Sequence, residues 1–290
     1  MYYKNNGYRV FYILNIAFLI FISLVCLFPL IHVLAVSFSS ASAAAANLVT
    51  LWPVDFTLKS YQETLSNTKF LDALVISVIR VLLVLSLGLL VTILTAYPLS
   101  KFNLKGGKWI SWFFVFTMLF SGGLIPSYVL ILELGLLNSI WALILPSIVN
   151  VYNVILMLNF FRNIPRELEE AAFIDGAGQL TTLFRIYLPI SMPSIATISL
   201  FIAVSQWNSW FDGLIYLTDA GKWPLSTLLQ NMLIVPDTTN GTLDSETLAQ
   251  MSEKTIRASQ IFIGALPILL VYPFLQRFFV KGIVLGAVKE

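Results

Sequence analysis

The chain has 290 residues, of which 58% are hydrophobic and only 11% are charged, whereas a soluble domain carries roughly 25% charged residues. Together with a mean hydropathy of +0.85, this composition excludes a soluble globular protein. The net charge of +2, from 17 basic against 15 acidic residues, is too small and scattered for a nucleic-acid-binding surface. The single cysteine, Cys26, excludes a disulfide within the chain. The class that remains is a membrane protein with several crossings.

Six apolar runs are each long enough to cross a bilayer, which takes about 20 residues per helix. They cover residues 10–36, 73–99, 109–132, 140–161, 190–217 and 260–280. We therefore predict an all-α membrane protein with six transmembrane helices, in a single transmembrane domain that covers residues 1–290. The two longest connections, residues 37–72 and 218–259, are expected to be outer loops at the surface.

The distribution of lysine and arginine predicts the orientation of these helices, because cytoplasmic loops are enriched in both residues. If the N-terminus is cytoplasmic, eleven of the 17 basic residues lie in cytoplasmic segments: Lys4, Arg9, Lys101, Lys105, Lys108, Arg162, Arg166, Arg185, Arg277, Lys281 and Lys289. We therefore expect both termini to be cytoplasmic. Arg80 lies inside a predicted crossing, where its charge must form a pair, reach the interface or face a wet cavity.

The residues needed for several kinds of chemistry are missing from the sequence. The only histidine, His32, lies deep in the first apolar run, so we expect a hydrogen-bonded core residue and not part of a metal site or a Ser-His-Asp triad. No GxxxxGK[ST] phosphate-binding loop occurs, so ATP hydrolysis would require another chain. Acidic pairs within crossings, which ion-coupled transporters use, are also missing, because Asp72, Glu133 and Asp212 lie at or near crossing ends.

The segment at residues 162–189, between the fourth and fifth crossings, differs from a simple connection. Pro165 suits the first turn of a helix, and three glutamates after it favour the positively polarised N-terminal end. Gly176 and Gly178 provide a stop. We predict a short exposed helix of about three turns over residues 165–178.

The predicted helix has one small apolar face. Leu168 and Ala172 are spaced i, i+4, and Ala171 lies beside them. Alanine side chains let another backbone approach closely, so we expect this face to enter a groove on a partner protein.

The same segment resembles a known family. The run Glu170-Ala171-Ala172, three residues, Gly176, nine residues, Ile186, one residue and Leu188-Pro189 reproduces the EAA signature of permease subunits of binding-protein-dependent ABC importers. At average residue frequencies, seven fixed positions match by chance in roughly one chain per million. Further stretches resemble the carbohydrate branch related to the maltose importer, and more narrowly permeases for oligosaccharides or polysaccharide fragments: residues 119–126, 135–138, 141–146 and 276–282.

The resemblance implies the fold of a type I ABC importer permease, in a bacterial cytoplasmic membrane, that works by alternating access. It implies as partners a second homologous permease subunit, two cytoplasmic ATPase subunits that bind ATP and Mg, and an extracytoplasmic sugar-binding protein. This chain would itself bind no cofactor or metal and carry no catalytic residue. The residues implied in coupling to the ATPases are Leu168, Glu170, Ala171, Ala172, Gly176 and Pro189, and Glu170 would pair with a basic residue of the ATPase.

A polar segment in the outer half of the fifth crossing is the candidate for contact with the substrate. Gln206, Trp207, Asn208 and Asp212 combine amides, a ring and a carboxylate, which suits sugar binding by stacking and hydrogen bonding. The alternative is an interfacial aromatic belt, although a belt does not explain amides that are costly against lipid. We predict that Asn208→Leu lowers sugar uptake, whereas Trp207→Phe has a mild effect.

Two other functions stay open at this point. An ABC permease for another solute, such as a peptide or a polyol, would share the same signature. A polytopic membrane enzyme would need a cluster of His, Asp or Cys facing a cavity, and the sequence does not show one.

Overall fold

The structure is a computed structural model, and it describes residues 6–101, 103–234 and 253–273. These residues form helices joined by turns, without a β-strand among them. In chain order the helices are α1 (Asn6–Ser37), α2 (Ala41–Ala45), α3 (Lys59–Ser66), α4 (Thr68–Ser100), α5 (Gly107–Leu119), α6 (Leu124–Glu133), α7 (Trp141–Ile148), α8 (Val151–Arg162), α9 (Arg166–Ile174), α10 (Gln179–Thr182), α11 (Leu188–Ile190), α12 (Met192–Asn208), α13 (Phe211–Tyr216), α14 (Leu225–Ile234) and α15 (Glu253–Pro273). A π-helical turn, Leu183–Tyr187, separates α10 from α11.

Four spans in the described residues are long and apolar enough to cross a membrane. They are Gly7–Ser37 in α1, Thr68–Ser100 in α4, Trp141–Arg162 in α7 with α8, and Glu253–Pro273 in α15. Two bent pairs, α5 with α6 and Gln179–Ile190 with α12, bring the number to six if each pair is one span. The all-helical membrane fold is therefore confirmed, with four to six spans among the described residues.

The third predicted crossing, residues 109–132, consists of two helices with a sharp bend between them. Helices α5 and α6 meet at an angle of 109°. Gly123 separates them at a φ of +85°, a value that glycine adopts without a steric penalty. Pro126 then falls in the first turn of α6, where its missing N–H is tolerated. This glycine and proline pattern ends one helix and begins the next.

The fifth apolar run is also interrupted, which corrects the prediction of one helix over residues 190–217. Ser209 and Trp210 separate α12 from α13. Side chains from a later segment bond to both carbonyl oxygens: Ser226 Oγ donates to Ser209 O at 2.6 Å, and Thr227 Oγ1 donates to Trp210 O at 2.8 Å. Trp210 O also accepts from Leu214 N at 3.2 Å, where α13 begins. The four predicted substrate-path residues are therefore divided between two helices.

Both predicted outer loops contain helices. Helices α2, α3 and the start of α4 lie within residues 37–72, and α14 and the start of α15 lie within residues 218–259. The last crossing starts earlier than predicted, because α15 begins at Glu253 and not at residue 260. Residues 274–280 of the predicted crossing lie outside the described residues. Four basic residues used to predict the orientation also lie outside them: Lys4, Arg277, Lys281 and Lys289.

The described residues within Met1–Thr68 and Met232–Leu266 form one compact unit. Its core consists of small side chains: Ala35, Val36, Ala43, Ala44, Val49 and Ala258. A buried hydroxyl pair adds a polar contact, since Thr64 Oγ1 lies 2.7 Å from Ser259 Oγ. Small residues and hydroxyls let these segments pack at short range.

Helix α1 leaves most of its large apolar side chains exposed on this chain, from Val10 through Ile31. An apolar surface of this extent needs lipid or another protein to cover it. His32 follows directly, and its Nδ1 lies 2.8 Å from Thr50 O. The predicted hydrogen bond of His32 is present, but the predicted core position is wrong, because the residue is only half-buried.

The described residues within Lys69–Asn231 and Pro267–Glu290 form the second unit. Its main core joins α4, α7, α8, α12 and the π-helical turn through these buried side chains: Val84, Ala96, Tyr97, Leu99, Ile144, Met157, Leu158, Phe161, Ile164, Leu183, Tyr187, Ile198 and Ile202. Gly88 of α4 permits a close approach, because a Cβ there would lie 3.2 Å from Ile148 O. This core holds the segment at residues 162–189 against the end of α4.

Candidate functional site

The helix predicted in the segment at residues 162–189 is present as α9, with nine residues or about two and a half turns. Pro165 precedes it at the N-cap position, with extended backbone at φ −56° and ψ 132°. Glu167 and Glu169 lie in its first turn, where negative charge interacts favourably with the helix dipole. The structure therefore has a helix slightly shorter than the predicted one over residues 165–178.

The C-terminal end of α9 depends on Gly176. This residue has a φ of +79°, a left-handed conformation that disfavours side chains. The reversed backbone lets Ala177 N donate to Ala172 O at 2.9 Å and Gly176 N donate to Phe173 O at 3.0 Å. A Cβ on Gly176 would meet no atom within 4 Å, so the cost of a substitution would come from the backbone.

The exposed surface of α9 differs in part from the predicted apolar face. Glu170, Leu168 and Ala171 are exposed as expected, but Ala172 is buried. Glu170 forms no ion pair within the described residues. Ile174, which the sequence reasoning missed, is 86% exposed. Its position at the end of α9, next to the reversal at residues 175–177, carries it away from the rest of the fold.

A cleft of about 600 Å³ brings the separated parts of the EAA signature together. Ala171 and Ala172 line it from α9, Gly176 lines it from the reversal after α9, and Ile186 lines it from the π-helical turn. The small side chains leave this space open, because each carries at most one carbon beyond the backbone. Ala172 is therefore part of the wall of a cleft and not of a protruding face.

The π-helical turn Leu183–Tyr187 explains the last positions of the signature. Pro189 follows the turn in α11 and is exposed. Proline has no N–H to donate and its ring crowds the carbonyl one turn earlier, which favours the wider π spacing before it. The turn directs the Tyr187 hydroxyl toward α9, where it donates to Glu169 Oε2 at 2.7 Å.

A cation is enclosed where α4 ends and meets α9. Lys101 Nζ lies 2.7 Å from Glu169 Oε1, and it lies 4.1 Å and 4.0 Å from the ring centroids of Tyr97 and Tyr187. Phe161 packs edge-on against both tyrosine rings. Burial lowers the pKa of Lys101, and the neighbouring carboxylate of Glu169 only partly opposes this effect. We call Tyr97, Lys101, Phe161, Glu169 and Tyr187 the Lys101 cluster.

Arg80, the basic residue inside a predicted crossing, forms an ion pair, which was one of the three predicted possibilities. Its guanidinium binds both carboxylate oxygens of Asp212, and its Nε donates to Gln206 Oε1 at 3.0 Å. A fourth bond joins Arg80 Nη1 to Ser209 O at 3.3 Å. We call Arg80, Gln206, Ser209 and Asp212 the Arg80 network, and it joins α4 to the break between α12 and α13.

The predicted substrate-path residues point to different surroundings. Gln206 and Asp212 belong to the Arg80 network. Trp207 lines an apolar groove of about 140 Å³ with Leu82 and Val271 among its other walls. Asn208 is exposed, and its Nδ2 donates to Val204 O one turn earlier in α12. The structure therefore does not bring the four residues together.

Gln206 also borders a polar cleft of about 260 Å³ that the sequence reasoning missed. Its polar lining consists of Ser147, Asn150, Tyr152, Asn153, Ser205 and Gln206. The cleft opens where α7 and α8 are interrupted at Val149, and the side chain of Asn150 caps α8 by accepting from Asn153 N at 3.2 Å. The sequence signal that could have indicated this cleft is the pair of amides Asn150 and Asn153 inside the predicted crossing at residues 140–161.

This combination defines a class of protein: a helical membrane permease with an exposed EAA helix and a polar cleft between its spans. Residues 88–285 match the family described as "Binding-protein-dependent transport system inner membrane component". The chain belongs to this family, as the EAA signature predicted.

Relatives cover nearly the whole chain. It is 41% identical over 282 residues to the "Polygalacturonan/rhamnogalacturonan transport system permease protein YtcP" of Bacillus subtilis (strain 168), covering 97% of this chain and 99% of the relative. It is also 41% identical over 287 residues to "Protein LplC" of the same organism, covering 99% and 97%. A crystal structure of a bacterial ABC transporter involved in the import of the acidic polysaccharide alginate contains a chain with a TM-score of 0.87 and 30% identity, covering 96% of this chain and 100% of that chain.

Proposed function

We propose that this ABC importer permease takes up an acidic oligosaccharide by alternating access. The observation that carries the proposal is the similarity along nearly the full length to a polygalacturonan/rhamnogalacturonan permease and to an alginate importer chain. All three polysaccharides in these names contain sugar acids, so their fragments share carboxylates and hydroxyls. The chain belongs to the carbohydrate branch of the family, and the acidic class of substrate is the step that we propose.

The ATPase subunits would bind at α9. Glu170 presents an exposed carboxylate, and Leu168 and Ile174 present apolar side chains around it. The cleft behind Ala171 gives a partner side chain space to enter. Closure of two ATPases around ATP and Mg would move α9, and a rigid helix transmits such a movement to the spans. A second permease subunit and an extracytoplasmic binding protein complete the proposed transporter.

The proposed orientation keeps both termini in the cytoplasm of a bacterial cell. The Lys101–Glu169 ion pair supports one part of it, because this contact puts the loop after α4 on the same side as the EAA segment. A cysteine at Lys105 tests the proposal in intact cells. An impermeant thiol reagent should leave this cysteine unlabelled until the membrane is opened, and labelling of intact cells would contradict the orientation.

The polar cleft beside Gln206 is the proposed sugar contact. It combines amides and hydroxyls with the ring of Tyr152, whose centroid lies 6.4 Å from that of Phe201. Such groups can hydrogen-bond sugar hydroxyls and stack on a sugar face. This proposal removes Trp207 from the predicted substrate path and keeps Gln206, which lies at the edge of the polar cleft.

Uptake by the reconstituted transporter tests the substrate class. We expect labelled tetragalacturonate to accumulate in an ATP-dependent manner, with maltotetraose of the same length transported much more slowly. Accumulation of maltotetraose alone would contradict the acidic class but not the carbohydrate function. Uptake of a peptide or polyol in place of both sugars would favour the other-solute alternative.

A pair of matched charge reversals tests the docking site. Glu170→Lys should abolish co-purification of the ATPase subunits, because it replaces the carboxylate proposed to meet a basic partner with a like charge. Glu167→Lys is the control, since Glu167 is also exposed but lies one turn earlier in α9. Equal retention of the ATPases by both variants would overturn the role of Glu170.

A further inference from the structure

We propose that Lys101 is a positioning residue that locks α9, the helix proposed to bind the ATPases, to the end of α4. This inference rests on the proposed function, because it assumes that α9 receives the movement of the ATPases. The residue acts through Glu169 and the two tyrosines and touches neither nucleotide nor sugar. Its role is to make α4 and α9 move as one body.

The chain connectivity makes Lys101 suited to this role. It is the first residue after α4, so its backbone follows the end of that helix. Its ammonium contacts Glu169 in α9, which is attached to α8 by only three residues, 163–165. A joint between Lys101 and Glu169 therefore links two helices that are far apart in sequence.

The tyrosines make this joint more than a simple surface ion pair. The side chains of Lys101 and Glu169 are only 20% and 15% exposed, so the pair is less screened by water than an exposed one. The rings of Tyr97 and Tyr187 provide cation–π contacts to the ammonium. Tyr187 also donates to the second oxygen of Glu169 at 2.7 Å, so both carboxylate oxygens are held.

Tyr97 extends the joint to the segment after α9. Its hydroxyl donates to the side-chain oxygen of Gln179 at 2.9 Å and lies 3.1 Å from the backbone oxygen of the same residue. Tyr97 belongs to α4, and Gln179 begins α10. The end of α4 is therefore tied to α9 and to α10 by contacts on both sides of the reversal at Gly176.

Two adjacent glutamates of α9, Glu169 and Glu170, have different roles in this proposal. Glu169 faces inward to Lys101, whereas Glu170 is exposed for a partner. Because neighbouring residues of a helix point about 100° apart, one carboxylate can bind the ATPase while the other holds α4. The force applied at Glu170 then reaches α4 without depending on the connection at residues 163–165.

The number of sugar molecules imported per ATP hydrolysed distinguishes positioning from docking. In the complete reconstituted transporter, Lys101→Met should lower the import of tetragalacturonate per ATP by at least about fivefold, while the ATPases still co-purify because Glu170 is intact. Lys105→Met is the matched control, since this exposed lysine lies on the same loop, and it should leave the ratio unchanged. Lys101→Arg should restore much of the ratio, because guanidinium can also pair with a carboxylate and stack on rings.

An unchanged ratio in Lys101→Met, or an equal fall in Lys105→Met, would overturn the proposal. Backbone hydrogen exchange of the full-length permease in detergent provides a second test that needs no substrate. Amides of α9 should exchange about tenfold faster in Lys101→Met than in Lys105→Met. In Lys101→Met the contact with Glu169 is already absent, so local opening of α9 no longer has to break it. If the wild-type transporter fails to import tetragalacturonate, the proposed substrate is wrong, and the exchange rates still decide whether the joint exists.

Discussion

The Arg80 network and the Lys101 cluster are two cation–carboxylate pairs at different positions along one helix. Arg80 lies within α4 and Lys101 directly follows it, about 30 Å further along the helix axis. Arg80 is completely buried and is held by a planar, two-pronged pairing with Asp212. Lys101 retains some exposure and is held by one carboxylate oxygen and two rings.

The difference follows from what each site must hold. The Arg80 network joins α4 to an interrupted helix through three acceptors, the carboxylate of Asp212, the amide oxygen of Gln206 and the carbonyl oxygen of Ser209, and arginine supplies several donors in a fixed plane. The Lys101 cluster joins two helices through a compact charge, which fits between two rings. One site satisfies buried backbone and side-chain groups, whereas the other forms a joint near the surface.

The largest expected effect comes from leaving Arg80 without its counter-charge. Asp212→Ala should lower the free energy of unfolding by about 3–5 kcal/mol, because a fully buried guanidinium would lose its partner. Arg80→Met should cost less, about 1–3 kcal/mol, since the Asp212 side chain is 24% exposed and still accepts from Ser209 Oγ and Gly213 N. Thermal unfolding of the purified chain in detergent measures both, and an equal or reversed order would contradict the asymmetry.

The sequence predicted the Arg80 site and the Lys101 site to very different degrees. Arg80 was identified as a charge inside an apolar run that must form a pair, reach the interface or face a wet cavity, and the structure shows the pair. Lys101 was interpreted only as one of several cytoplasmic basic residues. Its tyrosine and glutamate neighbours come from three separate segments of the chain, and neither periodicity nor a local motif indicates such a contact.

The helices themselves were predictable to the extent that apolar length determines them. The run of α4 was predicted from hydropathy within a few residues, and α9 from its proline, glutamates and glycine. The interruption at Ser209 was not, because it lies inside an apolar run and depends on tertiary hydrogen bonds to its carbonyl oxygen. The same reasoning missed the polar cleft, whose lining comes from α7, α8 and α12.

The second prediction concerns the cleft next to the Arg80 network. Tyr152→Leu should lower tetragalacturonate uptake by about tenfold, because it removes a ring and hydroxyl from a small number of contacts that dominate recognition. Asn208→Leu was predicted to lower uptake from the sequence, yet the side chain of Asn208 bonds to its own helix. Uptake by the two variants, normalised to the amount of assembled transporter, distinguishes the polar cleft at Tyr152 from the predicted substrate path at Asn208. A larger loss with Asn208→Leu would favour the path predicted from the sequence.

The third prediction concerns the end of α9, beside the Lys101 cluster. Gly176→Ala should destabilise the end of the helix by about 1 kcal/mol, because alanine disfavours a positive φ. Gly178→Ala is the matched control, since Gly178 has a φ of −79° that alanine adopts freely. Hydrogen exchange at residues 175–178 measures the difference. Equal exchange in the two variants would show that the left-handed backbone of Gly176 is not required.

The smallest expected effect is a shift in the titration of Lys101. Burial already lowers its pKa, and Glu169 opposes that effect, so Glu169→Gln should lower the pKa of Lys101 further. The two tyrosines that face the ammonium stay neutral and cannot replace the lost charge at neutral pH. The labelling rate of the Lys101 amine, followed by mass spectrometry against the exposed Lys105, measures this shift, and Glu167→Gln is the control.

The sign of the linked change in stability follows from the direction of this pKa shift. A lysine whose pKa is lower in the folded state binds fewer protons there than in the unfolded chain, so folding becomes more favourable as pH rises from the folded pKa toward the unfolded value of about 10.4. The free energy of unfolding of the Glu169→Gln variant should therefore rise more with pH than that of the wild-type chain. The reason is that the pH range between the folded and the unfolded pKa of Lys101 extends to lower pH in the variant. Half-maximal labelling of Lys101 at a lower pH in Glu169→Gln than in the wild-type chain would support this direction of the pKa shift. Half-maximal labelling at a higher pH would show that the ion pair does not stabilise the charged form of Lys101.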